Sequence, residues 1–560
     1  MKEILIIGNG ISGMMCAIRC AELGMKVKLI APGPSEQSQS VMAAGGINAV
    51  TERKAEIRTG SPLPAAGDSH DEEDSVQCHI EDTLRGGAYL AGSNAVEGLC
   101  SDAKEIIHYL ERIGTVFSVD EHGNLRLRAF GGQTCRRTHY CGSSTGKHIV
   151  SALIMEVRRF EAAGLITRIM RHHFYSALIS DGRCYGALLY DEHVRELLPV
   201  YADSLVMATG GQNCLFGKTT GSSRCDGYAA GQLFKQGAAL KNLEFIQFHP
   251  TTLETPQKRM LISEAVRGEG GRLFYMDGDR KVFFMEDKYG PKGNLMTRDL
   301  ISREIVAAGR DVFLDISFVD KKLIDSRLPE VRDICARYRG IDISKEPIPV
   351  APSVHYFMGG LAVHKDHETN IPGLYAVGEC ASIYHGANRL GGNSLLSAMY
   401  SGKVAAESIS GKDAPLENPG FDSYIQAEQE GFKKMLNAES PFAAMHIRDM
   451  LSDTMREHMS IVRSADSLSK GIEDVRYYLS IADRIHYDAS VSAYTNYSLN
   501  GILTLALAAL TCADARRESR GAHYRSDYPA ALEEYRAATI ITYNGGNMQV
   551  TFDRGNSYED

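Results

Sequence analysis

Three glycines near the N-terminus have a spacing that suits the binding of a phosphate group. Gly8, Gly10 and Gly13 form GxGxxG inside "EILIIGNGISGMMCAIRCAELGMKVKLI", which predicts a strand, a tight turn, a helix and a second strand. We expect Gly8 to allow the turn, Gly10 to let the backbone approach a pyrophosphate, and Gly13 to let the helix pack on the sheet. Ala31 stands where an acidic residue usually binds the ribose. Either the ribose is held in another way, or this dinucleotide site is not the usual nicotinamide version.

Arginine and histidine side chains recur later in the chain, in short stretches of small and polar residues. These stretches are "QFHPTTL", "SEAVRGEGG", "MTRDLISR", "HYFMGG" and "GANRLGGNSLL". Arginine is the preferred clamp for a carboxylate, because its planar fork forms two hydrogen bonds with the two oxygens. Adding a hydride to an activated double bond requires such a clamp, a hydride donor and a proton for the developing carbanion. The residue types therefore suit redox chemistry on a carboxylate-bearing substrate.

The elements that position these residues predict a discontinuous α/β fold. Apolar strands that end in small residues recur at 202–211 ("ADSLVMATGG") and 371–381 ("IPGLYAVGECA"), with mixed charged and aromatic sequence between them. Beyond residue 415, "FDSYIQAEQEGFKKMLN" and "GIEDVRYYLSIADRIHY" have the apolar spacing of helices. We predict a Rossmann-like dinucleotide-binding domain in two parts, 1–237 and 352–415, with an inserted α+β capping domain at 238–351. A helical domain at 416–510 and a small C-terminal domain at 511–560 follow.

The composition is that of a soluble globular protein. The chain has 560 residues, of which 44% are hydrophobic and 23% charged, and its net charge of −9 disfavours a nucleic acid partner. We expect no membrane span, because no run approaches about 20 apolar residues, and the N-terminus predicts a strand rather than a signal peptide. The twelve cysteines include no CxxC pair. We therefore expect neither a metal site nor an iron–sulfur cluster in this chain, and a reducing, cytoplasmic compartment.

Eight stretches, in this order, resemble the flavoprotein subunits of succinate dehydrogenase and fumarate reductase and the related L-aspartate oxidase. They are "SVMAAGGINA", "FGGQTCRRTHYCGSSTGK", "LEFIQFHPTTL", "LISEAVRGEGG", "MTRDLISR", "HYFMGG", "LYAVGECASIYHGANRLGGNSLLSA" and "ESRGAHYRSDYP". The resemblance runs nearly end to end and implies FAD as the cofactor and fumarate or succinate as the substrate. It also implies electron transport, as in anaerobic respiration, with an iron–sulfur subunit and, as in the membrane-tethered members, an anchor subunit. The chain would then lie on the inner face of the membrane through its partners.

The resemblance assigns roles to residues of the short motifs. It implies that Arg298 is the proton donor, resupplied through Glu264 and Arg267, although Arg267 could instead be a structural ion-pair partner. An arginine is normally a poor acid, so it needs a very basic carbanion and rapid return of the proton. The substrate-binding residues would be His249, Ser263, His355, Arg389 and Phe130. The cofactor-binding residues would be Gly8, Gly10, Gly13, Ser38, Gln39, Ser40, Ala44, Gly45, Gly46, Asp226, Glu379, Ser394 and Leu395.

Gln39 departs from the family pattern. Members with covalent flavin carry a histidine at this position, whereas "SQSVMAAGG" aligns without a gap and places a glutamine there. A glutamine can hydrogen-bond the isoalloxazine but cannot form the bond to the 8α-methyl group. We predict non-covalent FAD. The covalent bond in the family is associated with a higher flavin potential, so its loss favours fumarate reduction over succinate oxidation.

Phe130 helps to choose among three functions that the sequence leaves open. Aspartate oxidases resemble "REGGHS" where this chain has "AFGGQT", and the glutamate there can meet a substrate ammonium group. A phenyl ring offers no charge partner and packs against an uncharged CH=CH unit. This favours fumarate or succinate over L-aspartate, and the set of arginines and histidines argues against the third alternative, a non-catalytic flavin-binding assembly subunit. We expect "RRESRGAHYR" (516–525) to be architectural or an interface.

Overall fold

A computed structural model describes residues 1–51, 74–120, 122–142, 144–413, 419–487 and 491–554. The elements before residue 238 include the predicted strand–turn–helix–strand unit. They are β1 (Glu3–Ile7), α1 (Ile11–Glu22), β2 (Lys26–Ala31), β3 (Ile47–Asn48), α2 (Val76–Gly86), α3 (Ser93–Ser101), α4 (Ala103–Arg112), β4 (Leu127–Arg128), β5 (Thr138–His139), α5 (Thr145–Ala162), β6 (Ile166–Met170), β7 (His172–Ser180), β8 (Arg183–Asp191), β9 (Glu196–Tyr201), β10 (Ser204–Met207) and α6 (Tyr228–Lys235).

The middle of the chain is mainly antiparallel strands and short helices. It contains β11 (Leu240–Lys241), β12 (Ile246–Glu254), β13 (Arg259–Leu261), α7 (Ala265–Gly268), β14 (Arg272–Asp277), β15 (Arg280–Val282), α8 (Phe284–Tyr289), α9 (Arg298–Ala307), β16 (Val312–Asp315), α10 (Lys321–Arg327), α11 (Pro329–Arg339), β17 (Ile348–Phe357) and β18 (Gly360–Ala362).

The last third is mainly helical and ends in a hairpin. Its elements are β19 (Leu374–Ala376), β20 (Ala381–Ser382), α12 (Asn393–Gly411), α13 (Asp422–Leu436), β21 (Phe442–Ala443), α14 (Ala444–His458), α15 (Ala465–Ala482), β22 (Ile485–His486), α16 (Ala493–Tyr497), α17 (Leu499–Ala515), β23 (Ala538–Asn544) and β24 (Asn547–Asp553). The two helices predicted from apolar spacing are present as α13 and α15.

A five-stranded parallel sheet confirms the discontinuous α/β fold. Its order is β19-β10-β1-β2-β6, so strands from three distant parts of the chain lie side by side. β1, β10 and β19 are almost wholly buried, which explains their nearly continuous apolar sequences. Four of these strands present their carboxyl ends to one cavity, as expected for this class of sheet.

The inserted segment has its own sheet and its own core. Six antiparallel strands in the order β13-β12-β17-β16-β14-β15 pack around buried residues that include Leu273, Leu314 and Ile348. The same β12–β17 ladder reaches the main core through Ile246 and Val354, so it fixes the insertion on the parallel sheet. The predicted domain limits at 351 and 510 fall inside β17 and α17, and the limit at 415 lies outside the described residues.

The C-terminal helices and hairpin join the rest of the molecule. α17 packs against α15 and α6, and the hairpin β23–β24 extends a sheet of order β20-β18-β11-β23-β24. The sequence has no run of about 20 apolar residues, but one segment of the described chain passes a test of length and mean hydropathy for a membrane span. Ala493–Ala515 is long and apolar enough, but 72% of its most apolar window is buried inside the protein. This segment, which contains α16 and α17, therefore belongs to the core of the protein.

Candidate active site

One cavity of about 880 Å³ lies at the carboxyl ends of β1, β2, β10 and β19 and reaches the β12–β17 ladder. Its walls come from both parts of the parallel-sheet domain, from the insertion and from the helical region. Of the residues predicted from the sequence, all but Gly13 and Arg267 line it. The predicted cofactor residues line one end of this continuous cavity, and the predicted substrate residues line the other. The two ends are named the cofactor end and the substrate end after these predictions.

The cofactor end begins at the N-terminus of α1. Gly10 precedes the helix without a side-chain cap, and no acidic residue lies in the first turn, so the positive end of the helix dipole faces the cavity. Ser40 Oγ accepts a hydrogen bond from the Ile11 backbone N–H at 3.3 Å. The neighbouring Ser38 Oγ is buried, lines the cavity and has no hydrogen-bond partner among the described groups. A free hydroxyl beside a helix N-terminus fits the pyrophosphate of FAD.

Two glycines are required by close backbone approach. A Cβ atom on Gly13 would lie 1.9 Å from the carbonyl oxygen of Gly8, so only glycine lets α1 pack this tightly on the turn. Gly46 has φ +138°, and a Cβ there would lie 2.4 Å from the carbonyl oxygen of His139. The segment that includes Ala44, Gly45 and Gly46 therefore forms a flat, small-residue wall, which suits a planar ring system.

Other predicted cofactor residues lie around the same space. Ser394 and Leu395 lie in the first turn of α12, so a second helix N-terminus faces the cavity. Asp226 accepts hydrogen bonds from the Tyr228 backbone N–H at 3.0 Å and from the Tyr494 hydroxyl at 2.8 Å. Asp226 therefore places a carboxyl group on the wall of the cavity.

The Gln39 side chain forms three hydrogen bonds with protein groups on the wall of the cavity. Its carbonyl oxygen accepts from Asn213 Nδ2 and from the Ser222 backbone N–H, both at 3.0 Å, and its Nε2 donates to Glu379 Oε2 at 3.2 Å. Glu379 Oε1 accepts from the Phe357 backbone N–H at 3.1 Å. Burial raises the pKa of Glu379 to about 7, against the opposing effects of that N–H group and of Arg389.

The substrate end is built on β12 and β17. The ladder steps from the pair Gln247–Tyr356 to the pair Phe248–Val354, so His355 is the extra residue of a β-bulge. The rings of His249 and His355 lie 5.2 Å apart, and Thr220 Oγ1 lies 2.9 Å from His355 Nδ1. Burial lowers the pKa of both histidines well below the usual value, and the nearby Arg298 charge lowers it further. Both rings are therefore neutral at pH 7.

Two arginines converge on one amide oxygen. Gln247 Oε1 accepts hydrogen bonds from Arg298 Nη1 at 3.0 Å and from Arg389 Nη2 at 2.8 Å. The Gln247 Nε2 group donates to Asn388 Oδ1 and to the Arg389 carbonyl oxygen, both at 2.8 Å, which fixes the orientation of the amide. Burial lowers the pKa of Arg389 to about 9, with a further contribution from the charge of Arg298, so it stays a cation at neutral pH. Its guanidinium carbon lies 4.4 Å from the centre of the Tyr356 ring.

Glu264 connects Arg298 to a third arginine, Arg267. Its Oε2 accepts from both Nε and Nη2 of Arg298 at 3.1 Å, and its Oε1 accepts from the Gly131 backbone N–H at 3.0 Å. Arg267 Nη2 lies 3.8 Å from Glu264 Oε1. Burial acts to raise the pKa of Glu264, but the charges of Arg298 and Arg267 outweigh it and hold the pKa at about 2. Three guanidinium groups and one carboxylate leave this end of the cavity positively charged, which suits a dianion.

Arg267 is wholly buried behind the cavity rather than on its wall. Its Nη1 donates to the Asn294 carbonyl oxygen at 2.7 Å, while its Nε and Nη2 have no hydrogen-bond partner among the described groups. Unpartnered guanidinium N–H groups in a buried position leave donors free for proton transfer. The ion pair with Glu264 is also compatible with the other prediction for Arg267, that it is a structural ion-pair partner.

Phe130 and Ser263 complete the substrate end. Phe130 is buried and packs against Gly391, where a Cβ atom would lie 2.9 Å from that of the phenylalanine. Ser263 Oγ accepts from the Ala265 backbone N–H at 3.3 Å and also lines the cavity. The cavity thus combines cations, neutral imidazoles, a hydroxyl group and one phenyl face.

Sequence reasoning missed Gln247, Thr220 and Asn213, and it missed the far end of the cavity. Gln247 could have been found, because it lies two residues before His249 on one strand and therefore on the same face. Thr220 and Asn213 carried no local signal. The far-end residues come from the β7–β9 sheet, the loop before α6, and the helical region, and they are His172, His173, Phe174, Glu192, Arg224, Arg448, Tyr494 and Thr495.

Comparison with known proteins agrees with this geometry. An FAD binding domain family matches residues 3–395, and a fumarate reductase flavoprotein C-terminal family matches residues 448–557. A succinate dehydrogenase flavoprotein subunit of Bacillus subtilis is 37% identical, over 94% of this chain and 91% of its own length. An L-aspartate oxidase of Pseudomonas aeruginosa is 31% identical, over 96% of this chain and 98% of its own length.

A solved structure extends the likeness to the whole fold. A quinol–fumarate reductase with menaquinol molecules matches with a TM-score of 0.88 and 28% identity, over 99% of this chain and 97% of that one. The carboxyl ends of the parallel strands, the unpartnered serine and the N-terminus of α1 that line the cavity lie within the matched FAD binding domain. The chain therefore belongs to the succinate dehydrogenase and fumarate reductase flavoprotein family, and is an FAD-dependent oxidoreductase of the type that acts on CH–CH bonds.

Proposed function

We propose that this chain is the flavoprotein subunit of a fumarate reductase. The observation that carries the proposal is the convergence of Arg298 and Arg389 on Gln247, beside two neutral histidines and the Phe130 ring. This arrangement offers two cations to a four-carbon dianion and an apolar face to its central double bond. Fumarate has that combination of charge and shape.

The substrate would be held by its carboxylates. Arg389 offers a bidentate fork, and His249, His355 and Ser263 offer hydrogen bonds that do not add charge. FAD, when bound at the other end of the cavity, would supply the hydride to one carbon of the double bond. Cations on the carboxylates stabilise the negative charge that develops on the neighbouring carbon.

Arg298 would then donate the proton that completes succinate. Its Nε and Nη2 both donate to Glu264 Oε2, so a proton lost from the guanidinium can be replaced through this carboxylate. Arg267, at 3.8 Å from the other oxygen of Glu264, is the next donor. Because the pKa of Glu264 is held at about 2, it stays ionised at rest and carries the proton only in passing.

The flavin would be bound without a covalent bond. Gln39 stands at the position of the linking histidine and has no nucleophilic nitrogen to form the bond. After denaturation and filtration, the yellow colour should pass through the filter, away from the polypeptide. Colour retained on the polypeptide would contradict this prediction.

Electrons would come from a separate iron–sulfur subunit, on the cytoplasmic face of the membrane. The twelve cysteines include no CxxC pair, which is unlike a cluster-binding sequence, and relatives are named as flavoprotein subunits of larger enzymes. A membrane anchor, if the complex has one, would be a further subunit. Purification from the native host should bring down a cluster-containing partner.

The test compares fumarate, succinate and L-aspartate on the purified chain. With reduced viologen as donor, we expect fumarate to be reduced, succinate to be oxidised poorly with an artificial acceptor, and L-aspartate to be neither turned over nor an inhibitor. Rapid oxidation of L-aspartate by oxygen would instead identify an aspartate oxidase. The absence of all three activities in a folded, FAD-loaded chain would favour an assembly subunit.

A further inference from the structure

The side chain of Gln39 joins three segments that lie far apart in the sequence. It begins a short 3-10 turn, Gln39–Met42, on the wall of the cavity. Its amide reaches Asn213 and Ser222, which are 174 and 183 residues away, and Glu379, which is 340 residues away. Both lone pairs of its carbonyl oxygen are used, so the amide has one fixed orientation.

The loop that Gln39 holds also reaches the substrate end. Asn213 Oδ1 accepts a hydrogen bond from Thr219 Oγ1 at 3.2 Å, and the Thr219 oxygen accepts from the Gly221 backbone N–H at 3.1 Å. Thr220, between them, contacts His355 Nδ1 at 2.9 Å. The path Gln39–Asn213–Thr219–Thr220–His355 therefore consists of three hydrogen bonds and one peptide bond.

We infer that Gln39 is a positioning residue that couples the cofactor end of the cavity to the substrate end. It fixes the 213–222 loop against the wall at residues 38–46, so that loss of its amide loosens both FAD and the ring of His355. The inference rests on the proposed function only for the role of His355 in dicarboxylate binding. Its FAD part stands on the cavity alone.

A double-mutant cycle separates this role from simple contact with the cofactor. Asn213 does not line the cavity but bonds Gln39 from behind, so Asn213→Ala removes a support and no cavity wall. We expect Gln39→Leu and Asn213→Ala each to raise the Kd for FAD, measured by fluorescence titration of FAD-free protein, by about tenfold. The Kd of the double variant for FAD should exceed the higher of the two single-variant Kd values by no more than about twofold, because both changes break one network.

A second measurement tests the coupling. Malonate is titrated into protein saturated with FAD, and its Kd should rise by about three- to tenfold in Gln39→Leu. Gln426→Leu, on the exposed face of α13, is the matched control and should leave both constants unchanged. Gln39→Ala is the alternative if the leucine variant does not fold, as judged by circular dichroism.

Several outcomes would overturn the inference. They are an unchanged FAD affinity in Asn213→Ala, additive effects in the double variant, and an unchanged malonate affinity in Gln39→Leu when the wild type binds malonate. If the wild type itself does not bind malonate, the proposed function fails, and the FAD cycle alone still decides whether Gln39 supports the cavity.

Discussion

At the substrate end, the positively charged side chains of Arg298 and Arg389 lie close together, and their mutual repulsion is unfavourable when no dianion is bound. Arg298 and Arg389 share one neutral acceptor, so Gln247 satisfies both guanidinium groups without neutralising either. A glutamate at that position would cancel one positive charge and weaken the attraction for a dicarboxylate. The two arginines therefore both remain positively charged at the place where the substrate would bind.

Replacement of Arg298 tests the proton donor. Arg298→Ala should lower fumarate reduction by at least about 10³-fold, because it removes a proton donor that no neighbouring group replaces. Arg298→Lys should not restore the rate, because a lysine cannot reproduce the fork that contacts both Glu264 and Gln247. The rate is measured with reduced viologen at saturating fumarate, and FAD content should stay normal. Near-normal turnover would mean that another residue donates the proton, and His355 would be the next candidate.

Glu379 should make the stability of the FAD-free protein depend on pH. Burial raises its pKa to about 7, above the value of about 4.5 in the unfolded chain, while Arg389 opposes the rise, and the nearby Tyr356 and Cys225 stay neutral. A raised carboxyl pKa adds stability at low pH that is lost as pH rises through 7. The Tm of wild type should fall by a few degrees more than that of Glu379→Gln between about pH 5 and pH 8. Parallel Tm curves in a calorimeter would contradict this.

At the scale of elements, the strand–turn–helix unit was predictable from sequence and the bulge was not. The glycine spacing and the apolar runs of β1, α1, β10 and β19 are local signals, and they predicted the parallel sheet. The bulge at His355 follows from pairing with a strand about a hundred residues earlier, which no local pattern records. The contacts of Gln39 were missed for the same reason, since its three partners are more than 170 residues away.

The tight packing of α1 on the glycine turn gives a prediction for that element. Gly13→Ala should abolish or greatly weaken FAD binding, because the added Cβ lies 1.9 Å from Gly8 O and 3.2 Å from the Ala208 Cβ. Gly431→Ala is the control in α13, where an added Cβ meets nothing within 4 Å. That change should leave FAD binding intact and stabilise the protein by about 0.5–1 kcal/mol. Equal FAD affinity in the two variants, measured by fluorescence titration, would show that the helix can shift.

At the scale of the whole molecule, the C-terminal residues lock distant parts together. Arg516 is wholly buried and donates to Glu244 Oε1 at 2.6 Å, to Glu518 Oε1 at 2.9 Å and to Thr539 Oγ1 at 2.7 Å. It joins the end of α17, the start of β12 and the strand β23. The stretch expected to be architectural or an interface is therefore part of the interior.

Removal of this arginine should destabilise the whole protein. Arg516→Met leaves Glu244 buried without its ion-pair partner and leaves Glu518 paired with Arg520 alone. Loss of one partner of a buried ion pair typically costs about 3–5 kcal/mol. Arg517→Met, at the exposed neighbouring position, is the matched control and should change the free energy of unfolding by less than about 0.5 kcal/mol. Urea unfolding followed by circular dichroism gives both values. A small effect in Arg516→Met would mean that the two carboxyl groups find other partners or take up protons.

The closing of the β11 sheet by β23 sets an order of events during biosynthesis. Leu240 and Lys241 pair with Ile541 and Ile540, so this edge has no partner until about 300 more residues have left the ribosome. The same delay applies to α6, whose apolar face is covered by α17. In the N-terminal half of the nascent chain, β11 and α6 therefore lack these contacts until the C-terminal region has been synthesised. An unpaired strand edge and an apolar helix face exposed for that time are natural binding sites for general chaperones, and a chain cut short before β23 would keep them exposed.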